Sequence, residues 1–161
     1  MKYILIVGKK DAGKSTTISN VCERLKPTKI QRLIIYENSI HSGYRCEDVD
    51  QVDEIFNGTY ILEVNGKVIL IVVGSPTEQK RSITILIEIT IKIKIRIDFA
   101  LIAVRTSERL EGFNTWDELK KYGSLILDEW IEKIKDEKFN ETDLWKSRIE
   151  KITSLVNSSI L

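Results

Sequence analysis

Apolar residues gather into short blocks along this chain, and the spacing inside each block predicts its structure. Lys2 to Val7 is an unbroken run rich in Ile and Val, the pattern of a strand buried on both faces. Ile18, Val21, Cys22 and Leu25 then recur at i, i+3, i+4 and i+7, which places them on one helix face that Pro27 ends. Leu33 to Tyr36 reads as a second short strand. Glu37 to Asn57 is polar and acidic and reads as a long loop with a helical turn around Val49 to Phe56. Beyond it, Tyr60 to Val64 and Lys67 to Val73 flank Asn65-Gly66, a pair suited to the positive φ angles of a type I′ hairpin turn.

Residues 83 to 97 give two answers at once. Isoleucine stands at every odd position, which argues for a strand. A parallel pairing of Lys67 to Val73 with Phe99 to Val104 would instead require a crossover helix between them, with Thr77 and Glu78 as its start. The topological requirement outweighs the propensity, and a helix is expected. Phe99 to Val104 is then a strand, Trp116 to Tyr122 a short helix closed by Gly123, and Leu125 to Ile131 a further strand. Asn140 or Thr142 caps a last helix with Leu144, Ile149, Ile152, Leu155 and Val156 on its apolar face. Strands alternating with helices predict a single α/β domain over 1–161, with a mostly parallel sheet, one antiparallel hairpin at 60–73 and helices on both faces.

Composition adds exclusions. The 161 residues carry 25 Lys and Arg against 24 acids, so a net charge of +1 gives no reason to expect nucleic acid or an anionic membrane as partner. Cys22 and Cys46 are too few for a disulfide framework or a four-ligand zinc site, and His41 is the only histidine. No apolar stretch approaches the roughly 20 residues of a membrane span, and the run Tyr3 to Val7 is too short for a signal peptide. A cytoplasmic, reduced protein is expected. The acids Glu47, Asp48, Asp50, Asp53 and Glu54 read as a solvated run, and Trp116, Trp130 and Trp145 as core or interface anchors.

One stretch carries chemistry: Gly8-Lys9-Lys10-Asp11-Ala12-Gly13-Lys14-Ser15, between a strand and a helix. At ordinary glycine usage its four fixed positions arise by chance in on the order of 1% of chains this long, before the strand–loop–helix context is counted. Phosphate oxygens need unobstructed backbone N–H donors and the positive end of a helix, and glycines let the loop approach closely. The chain resembles the P-loop NTPases, which implies a three-layer fold. By that resemblance Gly8 to Thr16 hold the phosphates, Lys14 contacts the β- and γ-phosphates, and Ser15 supplies a hydroxyl to Mg²⁺. Lys9 also stands where the MinD and ParA ATPases have a lysine, but Lys10 and Asp11 replace the two glycines that follow there.

The resemblance has gaps. An aspartate is expected where the strand ending at Val73 finishes, and the residues there are Gly74-Ser75-Pro76-Thr77-Glu78. The Asp-x-x-Gly and Asn-Lys-x-Asp motifs of Ras-type GTPases are absent, which favours ATP and keeps GTP as an alternative. Substitutes are Glu37, placed like the acid of small P-loop kinases and a candidate base or Mg²⁺ contact, and Arg105, whose fork of donors suits phosphate. Ser75 and Thr77 could hold Mg²⁺ through water. Two functions are expected: a small ATPase or phosphotransferase, or a nucleotide-responsive module read by a protein partner through the 37–57 loop. A third is a domain whose loop holds no nucleotide.

Overall fold

The computed structural model describes residues 1–36 and 43–161. Its strands are β1 (Lys2–Gly8), β2 (Lys29–Ile35), β3 (Tyr44–Asp48), β4 (Thr59–Val64), β5 (Lys67–Val72), β6 (Phe99–Arg105) and β7 (Ser124–Trp130). They form one seven-stranded sheet in the order β3-β2-β4-β5-β6-β1-β7. The helices are α1 (Lys14–Leu25), α2 (Pro76–Gln79), α3 (Ile83–Lys92), α4 (Thr115–Leu119) and α5 (Asp143–Ile160). Single 3₁₀ turns lie at Val52–Glu54 and Phe139–Glu141.

The expected mostly parallel sheet does not form. β5, β6, β1 and β7 are parallel, but β3, β2, β4 and β5 pair antiparallel throughout. Parallel neighbours need a crossover of a dozen or more residues, usually a helix. β2 and β3 are joined only by residues 36–43 and β4 and β5 only by Asn65-Gly66, too short for one, while residues 49–58 carry the chain back past β2, so that β3 and β4 both run opposite to it. The missed strand is β3, Tyr-Arg-Cys-Glu-Asp, with no buried residue. It is a polar edge strand, and charge on an edge discourages further pairing.

Helices lie on both faces, as expected. Ile4, Ile6, Leu62, Ile71 and Leu101 meet Ile18 and Val21 of α1 and Ile149 and Ile152 of α5. On the other face Leu5, Val7, Leu70 and Ile102 meet Ile83, Leu86 and Ile87 of α3 and Leu119 after α4 begins. The α3 core positions include 83, 86, 87 and 90, a helical period that even-numbered Leu86 and Thr90 complete. Alternating isoleucine concealed it, and Ile85 and Ile91 are left exposed. Ser82 caps α3 by accepting from Ile85 N, and Thr142 caps α5 by accepting from Trp145 N. Asn65 and Gly66 have φ of 51° and 74°, the expected hairpin turn. Among the described residues no helix is long and apolar enough to cross a membrane.

Leu101, on β6 and wholly buried, belongs to the core cluster that takes in the inner faces of α1 and α5. Leu101→Ala is expected to lower unfolding free energy by about 2–5 kcal/mol, read from the midpoint of a urea denaturation at unchanged slope.

Candidate functional site

β1 ends at Gly8, where a side chain has no room. A Cβ there would lie 2.9 Å from Ala12 Cβ and 3.1 Å from the Ile131 carbonyl oxygen. Gly13, which opens α1, has φ +97°, a conformation that L side chains rarely adopt. Steric need thus accounts for both glycines.

The loop delivers α1 with its N-terminus bare. No side chain caps it, and its first turn holds no acid. Unpaired leading amides and the positive end of the helix dipole both favour an anion. Lys14 stands in this same turn with only 5% of its surface exposed. Its Nζ donates to the carbonyls of Gly8 at 2.9 Å and Lys9 at 2.7 Å, so the side chain folds back over the loop. Burial holds its pKa below the ordinary lysine range, an effect that the nearby Glu78 charge partly opposes. An ammonium bonded, among the described residues, only to carbonyls and set beside a bare helix N-terminus is a site short of negative charge.

Across the cavity, Ser15 Oγ donates to the carbonyl of Val73 at 3.3 Å, which ties α1 to the end of β5. Three residues after Gly74 and its buried neighbour Ser75, the single turn of α2 brings Glu78 back toward the loop. Arg105, the last residue of β6, donates from Nε to Glu78 Oε1 at 2.9 Å. Lys14, Ser15, Thr16, Asn57, Glu78 and Arg105 all line one cavity of about 750 Å³. The sequence shows no acid directly at the end of β5; the structure supplies one from the following helix. Arg105 is not paired with Glu108, which instead accepts from Thr115 N and Oγ1.

The residues with side-chain oxygens lining this cavity are Asp11, Ser15, Thr16, Asn57 and Glu78. Mg²⁺ takes such a set when phosphate oxygens and water complete the octahedron. Among the described residues no group of three or more His, Cys, Asp and Glu could hold a metal unaided. The residues fit a Mg²⁺ shared with a phosphate ligand and do not fit a protein cage. The hydroxyls of Ser75 and Thr77 are 3.4 Å apart and hydrogen-bonded to each other, and neither residue lines the cavity. Glu37 lies outside the described residues, so its proposed roles have no geometry. Of the acidic run, Glu47 pairs with Arg45, Asp48 accepts from Gln31 and Glu54 accepts from Gln51 N.

Two further cavities flank the loop. One, of about 180 Å³, is lined by Gly13, Thr16, Ile134, Phe139 and Trp145, with the two aromatic rings edge to face at 5.1 Å. The other, of about 830 Å³, is lined by Lys9, Lys10, Lys133, Lys135 and Arg148 among others. Arg148 comes from α5 and is 8% exposed. Its donors reach Thr17 Oγ1 at 3.5 Å and the Glu132 carbonyl at 3.3 Å, and its guanidinium lies 5.6 Å from the Trp145 ring. Burial lowers its pKa, and no carboxylate bonds it among the described residues. Buried charges are ordinarily paired, so this one adds to the demand for an anion at Gly13.

Arg148→Met keeps most of the packing and removes the charge. Its urea midpoint is expected to hold or rise, while affinity for inorganic tripolyphosphate, measured by calorimetry, falls about fivefold, or about 1 kcal/mol.

The chain matches no family model, no curated protein and no solved structure, so the reading of this site rests on its own residues.

Proposed function

We propose that this protein binds a nucleoside triphosphate, ATP in preference to GTP, with Mg²⁺, and transfers or hydrolyses its terminal phosphoryl group. The observation that carries the reading is the convergence on one cavity of a bare helix N-terminus, the buried Lys14 ammonium, the Ser15 hydroxyl, Glu78 and Arg105. Phosphoryl transfer needs mainly positioning and charge stabilisation, and these groups supply both. The loop amides and Lys14 hold the β- and γ-phosphates. Ser15 and Glu78, which line the same cavity, would hold Mg²⁺, Glu78 through water, and the ion when bound neutralises phosphate charge. Arg105 faces the terminal phosphate, and Glu78 orients the attacking oxygen. The cleft of Ile134, Phe139 and Trp145 beside Gly13 suits the flat apolar face of a base.

A nucleotide-responsive module without turnover is favoured by one observation, the Glu78–Arg105 ion pair, which ties up the acid that turnover would use. The two readings part on Glu78. Lys14→Ala is expected to weaken Mg²⁺-ATP binding at least tenfold, about 1.4 kcal/mol, in equilibrium titration; unchanged affinity in that variant would sink the loop's assignment. Glu78→Gln is expected to retain ATP binding and lower the rate of phosphate or ADP release about 100-fold. No measurable turnover in the unaltered protein, with binding intact, would select the module.

A further inference from the structure

The loop cavity has a neighbour that phosphate binding alone does not use. β2 runs past β4: Leu33 is the last residue paired across, opposite Thr59, while Ile34 and Ile35 pair only with β3. Between that overhang and α2 lies a notch of about 380 Å³, within the range of small-molecule sites. Asn57 and Glu78 line both this notch and the loop cavity, so the two adjoin at the acid.

Two arginines line the notch, Arg32 from β2 and Arg81 from the turn between α2 and α3. Neither has a carboxylate partner among the described residues. Arg32 is held in place from one side only: its guanidinium lies 6.0 Å from the Phe56 ring and 5.8 Å from the Tyr60 ring, and Nη2 donates to the Asn57 carbonyl at 3.3 Å. Among the described residues the Arg81 guanidinium donates only to the Lys80 carbonyl, at 3.2 Å. The one acid on the wall, Glu78, is already bonded to Arg105. Most donors of both forks are therefore unused, and guanidinium forks match the oxygens of phosphate. Two uncompensated cations call for a dianion better than for a single carboxylate.

We propose that this notch is a second-substrate site for a small phosphate monoester, held by Arg32 and Arg81 with a hydroxyl turned toward Glu78. The acceptor role rests on the nucleotide reading of the loop; the anion site does not. In transfer, the acceptor oxygen bonds to the terminal phosphorus of ATP as the bond from that phosphorus to the bridging oxygen breaks. The electron pair of the broken bond leaves on ADP, and the acceptor's proton passes to the Glu78 carboxylate and then to water. The protein is then a kinase of small phosphorylated metabolites, and hydrolysis is its side reaction.

The test is calorimetric titration of glycerol 3-phosphate, as the probe monoester, into the full chain and three variants. Arg81→Gln leaves a partly exposed residue without disturbing packing, Arg32→Lys keeps the charge and loses the fork, and Lys14→Ala disables the loop. Saturable binding that survives Lys14→Ala and weakens at least tenfold in Arg81→Gln and Arg32→Lys supports the site. Absence of binding to the unaltered protein, binding lost in Lys14→Ala, or binding unchanged in both arginine variants overturns it. ATP titrated into the same proteins separates the two readings. If ATP fails to bind while the monoester binds through the arginines, the nucleotide reading falls and the anion site stands.

Discussion

The site depends on an ammonium ion that the fold has largely taken out of water and that no carboxylate bonds among the described residues. Lys14 Nζ is bonded to two carbonyls of its own loop, and those bonds curl the loop against the end of β1. Carbonyl dipoles offset part of the desolvation but leave the charge uncancelled. The positive end of α1 adds to it, and Arg148 adds a second buried cation from behind. The structure thus concentrates positive potential at the point where three parallel strands end.

The glycine loop was legible because its requirements are local. The positive φ at Gly13, the contact of Gly8 with Ala12 and the helix that follows are set within a few residues of chain, although Gly8 also meets the distant Ile131. Glu78 was not legible as a site residue, because the acid stands beyond the end of β5 and only the single turn of α2 returns it to the loop. Arg148 gave no signal at all; its contact with Thr17 joins residues 131 positions apart. The same division holds for the fold. Buried runs such as Ile4 to Val7 and Phe99 to Val104 announced themselves, whereas β3 has no apolar alternation and hid in what read as a loop.

The misjudged sheet changes how the molecule is organised. Its parallel strands carry the loop, Ser15's contact and Arg105 on their carboxyl ends, as ligand sites in open α/β sheets commonly do. Its antiparallel strands reach the phosphate site through Phe56 and Asn57, at the approach to β4. What they provide is an overhang and a wall.

β6 lies between β1 and β5, so the strand that delivers Lys14 and the strand that leads to Glu78 stand about 9–10 Å apart, two strand spacings. Among the described residues no ion pair crosses that distance; Ser15 reaches the Val73 carbonyl from α1, and Arg105 reaches Glu78 from β6. A polyanion laid across the gap would act as a strut between strands otherwise joined only through their common neighbour. Occupancy would then be felt as stiffness at the carboxyl ends of the parallel strands.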